Sequence, residues 1–202
     1  MTKTFGFDVV RAAVAAGLGA LGENYLRELE DKRSATRDLT ARWHYLGALQ
    51  GNKIARVSAV ADVIEGVSRD KELVRLAALG CRSALYVEVD VTGDAARSGA
   101  PATEVPALVT RGRELGLDVR GLMTVAPPDP SGARVAFATV RDLADTLGLP
   151  ERSMGMSDDF ELACDFGTTE VRLGRALFGD RVPRRGASPN IVGLDGGDEE
   201  SA

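Results

Sequence analysis

Three glycines, Gly17, Gly19 and Gly22, stand in the stretch AAGLGALGENY at the G-x-G-x-x-G spacing that opens many dinucleotide sites. That fingerprint needs a strand ahead of the glycines and a helix starting at them, so that the helix N-terminus faces pyrophosphate. Here the order is reversed. FDVVRAAVAA, residues 7–16, carries apolar residues at helical spacing and runs into Gly17, a residue suited to a left-handed helix cap. A short strand centred on Ala20 and Leu21 is interleaved with the remaining glycines. Gly17 is therefore read as a cap, with Gly19 and Gly22 as room for a strand in a crowded wall. The order of elements argues against a nucleotide-dependent reductase.

Two other regions carry polar groups where chemistry is usually placed. WHYLGALQGNK, residues 43–53, holds the single histidine, His44, on a strand, with Gln50, Asn52 and Lys53 in the loop beyond it. Histidine titrates near neutrality, and barrels put functional groups after strand C-termini. A lone histidine is also a common structural residue. SMGMSDD, residues 153–159, is a strand that runs into an acidic helix start, with Ser157 at a plausible N-cap. VRLGRALFG, residues 171–179, sets Arg172 on an apolar strand and Gly174 at the strand–helix junction. The N–H groups of Gly174 and Arg175, with the Ser157 hydroxyl, would converge on an anion, as in barrel phosphate sites.

The elements that must hold these groups alternate regularly. Strand-like runs fall at 19–22, 42–46, 63–67, 84–90, 119–125, 152–156 and 169–173. They are brief, read as apolar on both faces, and are separated by helices at 7–16, within ENYLRELEDKR, NKIARVSAVA and DKELVRLAALG, and near 103–115, 131–147 and 158–165. This pattern predicts a parallel sheet covered by helices. A (β/α)8 barrel needs eight strands. The missing one should precede the first helix, where the chain offers only Met1 to Thr4. The alternatives are a seven-stranded or open sheet, or a chain that starts at the end of the first strand. Residues 180–202 are rich in Pro, Gly and acidic residues and are expected to form a flexible tail behind one domain over 1–179.

Bulk composition narrows the classes. The 202 residues are 44% hydrophobic and 27% charged, as in globular proteins, and the formal net charge is −5. Lys and Arg do not gather into the dense basic patch that a nucleic-acid partner requires. Cys81 and Cys164 lie in no C-x-x-C motif, so neither a zinc site nor a disulfide framework is expected. No apolar run approaches the roughly 20 residues that span a bilayer, and no signal-peptide pattern opens the sequence. A cytoplasmic protein is expected, and with no heptad pattern or evident apolar helix face, a monomer.

WHYLGALQGNKIARV resembles the signature segment of the pyridoxal phosphate homeostasis protein family, single-domain relatives of the alanine racemase barrel. GENY, RGLM, SMGMSDD and VRLGRALFG resemble its other landmarks, in the same order and at nearly the same spacing, over residues 3–179. The resemblance implies a (β/α)8 TIM barrel of the alanine racemase N-terminal type, lacking here the N-terminal helix and most of the first strand. It implies pyridoxal 5'-phosphate (PLP) as cofactor and a role in vitamin B6 homeostasis without turnover. Lys3 would hold PLP as a Schiff base. Ser157 and the backbone of Gly174 and Arg175 would take the phosphate, Arg172 would face the pyridine nitrogen, and Asn24 would lie near the ring. His44 and Met123 belong to family motifs with less defined roles. Family members usually carry about thirty further N-terminal residues, which suggests a late-assigned start or a fragment. PLP-dependent apo-enzymes are the expected recipients of the cofactor. The competing reading is a PLP-dependent amino-acid racemase or related fold-type III enzyme. Such a racemase needs a second acid–base group supplied with help from an additional β domain, for which the chain has no room.

Overall fold

The computed structural model describes residues 1–94 and 97–179. Helix α1 (Phe7–Ala15) stops just before Gly17, whose φ of +87° is the left-handed value a helix exit needs. Strand β1 (Ala20–Glu23) follows, then α2 (Leu26–Ala35), β2 (Arg42–Tyr45), α3 (Ile54–Val60), β3 (Val63–Val67), α4 (Asp70–Ala78) and β4 (Ala84–Asp90). A two-residue strand, β5 (Ala100–Pro101), precedes α5 (Val105–Glu114), β6 (Val119–Met123), α6 (Pro130–Leu147), β7 (Glu151–Met156), α7 (Phe160–Asp165), β8 (Glu170–Arg172) and α8 (Arg175–Phe178). The sequence pattern gives no sign of β5, which pairs only with the end of β4.

All pairings are parallel, in the order β1-β2-β3-β4-β6-β7-β8. Parallel neighbours joined through helices wrap the strands into a barrel with the helices outside. Between β1 and β8 the wall is completed at one end by the first two residues. The Thr2 N–H donates to Gly22 O (3.1 Å) and the Met1 ammonium donates to Leu173 O (2.6 Å). Below that rung a groove of about 320 Å³ runs between the two strands, with Leu18, Leu21, Leu46, Val171 and Phe178 among its apolar lining.

Two cores result from strand alternation. Outward-facing Trp43, Ile64, Leu85, Val87, Leu122 and Met154 pack under the helices with residues such as Leu29, Leu73, Leu76 and Phe137. Val63, Ala84, Tyr86 and Met123 form a smaller cluster inside the barrel. The inward face also carries buried His44, Glu65, Glu88, Ser153 and Arg172. This corrects the expectation of strands apolar on both faces. A barrel interior can hold charged groups when they pair with one another across it.

A polar network ties the N-terminal segment to this frame. Glu23 is fully buried at the end of β1 and accepts from Thr2 Oγ1 (2.6 Å) and Lys32 Nζ (2.7 Å). Lys32 Nζ also donates to Thr2 O (2.7 Å) and Glu28 Oε2 (3.1 Å). Burial pushes the Glu23 carboxyl up, against the downward pull of Lys32 and Thr2.

Of the early glycines, Gly22 is confined: a Cβ there would lie 2.5 Å from Met1 Sδ and 2.9 Å from Leu46 Cδ1. Gly19 has open space around it, so the crowding expected there is absent. The tightest approach is at Gly47, just after β2, where a Cβ would meet Asn24 O at 2.3 Å and Tyr45 Oη at 2.6 Å. A backbone oxygen cannot move aside as a side-chain tip can. Gly47→Ala should therefore cost roughly 1–3 kcal/mol through overpacking, read as a lowered urea midpoint with an unchanged m-value.

Candidate functional site

The C-terminal ends of β1, β7 and β8 bring together segments remote in sequence. Lys3 follows the rung made by Met1 and Thr2 and is half-buried, with Nζ 5.5 Å from the centroid of the Tyr25 ring. That is a cation–π distance. Next to it, Thr4 has a φ of +69° and is the only non-glycine residue with positive φ among the described residues. A β-branched residue held there is strained. The conformation is secured by the Thr4 N–H donating to Glu28 Oε2 (2.7 Å). Burial raises the Glu28 carboxyl, but the Thr4 N–H and Lys32 outweigh it and leave the group below its ordinary value.

Asn24, directly after β1, is half-buried, and its Oδ1 is a buried acceptor with no partner among the described residues. Such orphaned acceptors are uncommon away from binding sites. Ser157 lies beyond β7 and does not cap α7. The N-cap there is Asp159, whose Oδ1 accepts from the Met156 N–H (2.6 Å). The Ser157 hydroxyl instead accepts from the Ala176 N–H (3.2 Å) in α8. It thus reaches the start of α8, one residue beyond Arg175. Gly174 is the N-cap of α8 and Arg175 its first residue, with the Arg175 guanidinium paired to Asp158 at the barrel mouth.

Arg172 points inward from β8. Its guanidinium donates to Ser153 O (2.7 Å), Ser153 Oγ (3.0 Å) and Thr124 O (2.6 Å), all on neighbouring strand ends. Burial lowers its pKa, opposed by Glu65, Asp159, Glu88 and Glu170.

His44 and Met123 are both inside the barrel. Met123 packs with Val63, Ala84 and Tyr86. His44 Nδ1 lies 2.7 Å from Glu65 Oε1 and 3.5 Å from Glu170 Oε2, and its ring meets Tyr86 edge-on at 6.4 Å. Tyr86 Oη donates to Glu170 Oε1 (3.0 Å). Burial raises the Glu170 carboxyl, partly offset by His44, and burial with the Glu170 charge raises the Tyr86 hydroxyl. Glu65, Glu170 and Glu88 escaped the sequence reading. A signal was present: Glu65 is the only charged residue in VIEGV, and Glu170 stands two residues before Arg172, on the same face of the strand.

Residues 3–182 match the family described as alanine racemase, N-terminal domain. Among curated proteins, the pyridoxal phosphate homeostasis protein of Pseudomonas aeruginosa is 38% identical over 192 residues, covering 90% of this chain and 83% of the relative. Among solved structures, PipY of Synechococcus elongatus without PLP superposes with a TM-score of 0.82 at 32% identity, covering 88% of this chain and 90% of PipY. PipY with PLP bound gives a TM-score of 0.81 at 31% identity, with the same coverage. No helix among the described residues is long and apolar enough to cross a membrane. By fold, by motif order and by these likenesses, the chain belongs to the alanine racemase N-terminal domain family, among its pyridoxal phosphate homeostasis proteins.

Proposed function

We propose that this protein binds PLP through Lys3 and holds it as part of intracellular vitamin B6 homeostasis, without catalytic turnover. The observation that carries the reading is the buried, unpartnered Asn24 Oδ1 directly after β1, on a barrel that superposes on a PLP-bound relative. The residues present fit the group. Lys3 is an amine at the barrel mouth, Ser157 offers a hydroxyl against the backbone at Gly174 and Arg175, and Arg172 is a buried cation behind them.

PLP supplies an aldehyde that bonds covalently to a neutral lysine amine. The chain's own groups divide the remaining work. Lys3 is presented by a backbone that Glu28 and Lys32 hold in place through Thr4 N–H and Thr2 O. The Ser157 hydroxyl and the Gly174 and Arg175 N–H groups take the phosphate. Asn24 would orient the ring, and Arg172 would face its nitrogen. A guanidinium there keeps the nitrogen unprotonated, which weakens electron withdrawal and favours holding over transformation. His44 and Met123 belong to the barrel interior.

Titration of the full 202-residue chain with PLP tests the reading. An imine band near roughly 420 nm that saturates at one equivalent is the expected result, and absence of the band overturns it. Steady interconversion of L- and D-alanine by the loaded protein would shift the assignment to an enzyme. Ser157→Asp places a carboxylate where the phosphate should sit. It should weaken PLP by at least about tenfold, a cost of roughly 1.4 kcal/mol, while pyridoxal, which lacks the phosphate, loses less. Equilibrium dialysis of both ligands checks this.

A further inference from the structure

Within the barrel, away from Lys3 and the phosphate segment, three side chains from three strands converge. His44 of β2, Glu65 of β3 and Glu170 of β8 each offer a donor atom, and these atoms all lie within 4.8 Å of one another. His44 and Glu65 are almost wholly buried, their side chains 5% and 2% exposed. His44 Nε2 and Glu65 Oε2 are buried and have no hydrogen-bond partner among the described residues. A buried carboxylate and a partly buried one around a single imidazole are costly unless a positive charge compensates them. Arg42, 42% exposed at its side chain, pairs with Glu170 at 3.8 Å, an ion pair beyond hydrogen-bonding distance that offsets only part of the charge. Arg172 acts on the cluster through space, but among the described residues its hydrogen bonds go to Ser153 and Thr124.

We propose that His44, Glu65 and Glu170 form a binding site for a divalent transition-metal ion, of which Zn²⁺ is the representative. An ion with one imidazole and two carboxylate ligands at about 2.0–2.2 Å sets its donor atoms roughly 3.3 Å apart. The distances from His44 Nδ1, 2.7 Å to Glu65 and 3.5 Å to Glu170, bracket that spacing, so small side-chain rotations suffice. The ion would replace the contact between His44 Nδ1 and Glu65 Oε1. Tyr86, donating to the other oxygen of Glu170, supplies the outer hydrogen bond that orients a ligating carboxylate. All three ligands line the groove between β1 and β8, which provides an entry path and room for a water ligand. Imidazole with carboxylates selects Zn²⁺ over Mg²⁺ or Ca²⁺, which prefer oxygen alone. The charge of Arg172 nearby limits the affinity to a moderate value.

The test is calorimetric titration of the metal-stripped full chain with Zn²⁺ in the absence of PLP, so its outcome is independent of cofactor binding. One ion per chain is expected, with a dissociation constant on the order of 10 μM or below. Glu65→Gln and His44→Gln should each weaken it by at least about tenfold. Glu65→Gln is nearly isosteric, and circular dichroism shows whether each variant is folded. A Cys81→Ser/Cys164→Ser variant should bind unchanged. No binding by the native chain overturns the proposal, as does binding that survives in folded Glu65→Gln or is lost in the cysteine variant.

Discussion

Lys3→Ala is expected to abolish the imine band near roughly 420 nm that PLP should produce with the native chain. Borohydride should then fix no cofactor mass on the protein. The whole covalent contribution rests on one amine. Substitution should nevertheless leave the fold intact, because the segment is anchored by other atoms: Thr2 N on Gly22 O, the Met1 ammonium on Leu173 O, and Thr4 N on Glu28. What the side chain itself loses is a half-buried position over Tyr25, a contact of about 0.5–1 kcal/mol when exposed. The variant should thus unfold within about 1 kcal/mol of the native protein while losing the band completely. Residual PLP held through Ser157 and the α8 backbone would appear as noncovalent binding in dialysis. A band of native strength in the variant would place the amine elsewhere, and Lys53, in the loop after β2, would be the next residue to replace.

The largest stability effect is expected at Lys32, which is 4% exposed at its side chain and pairs with the fully buried Glu23. Lys32→Met keeps the stem packing but strands the Glu23 carboxylate, a loss of about 3–5 kcal/mol near neutral pH. Burial already places the Glu23 pKa above its unfolded value. A carboxyl shifted upward is destabilising once ionised, and removal of Lys32 shifts it further. The defect should therefore grow as pH rises above the ordinary carboxylate value of 4.5 and shrink as pH falls back toward it. Denaturant titrations at about pH 5 and about pH 7.5 read this directly. Adding Glu23→Gln to Lys32→Met should recover much of the loss, since both charges are then gone. PLP binding should weaken in Lys32→Met as well, because Lys32 also holds Thr2 O, immediately before Lys3.

Much of this fold was legible in the sequence. The seven longer strands fall within one or two residues of the expected runs, and the helices between them follow apolar periodicity, since both signals are local and set by backbone geometry. The Gly17 cap was legible for the same reason: positive φ is a single-residue property. Strand β5 was not, because a two-residue strand is defined by its partner in β4 and not by its own composition.

The candidate site divides along the same line. The strand–helix junctions pointed to Ser157, Gly174 and Arg175 as an anion site, and the family resemblance pointed to Lys3, Asn24 and Arg172. The sequence could not say that Ser157 turns from the helix it precedes to the next one, because serine satisfies either backbone equally well and only the approach of α8 selects between them. Nor could it pair Glu23 with Lys32 or gather His44, Glu65 and Glu170, since alternation reports whether a side chain faces inward but not what it meets there. By itself the sequence determined the succession of strands and helices and the parallel, helix-covered sheet they must form, through periodicities written over a few residues at a time, while the closed barrel and the residues at its mouth came from the family resemblance. Only the tertiary structure decided which charges share the interior, because closing a tilted barrel sets the distance between strands that are remote along the chain.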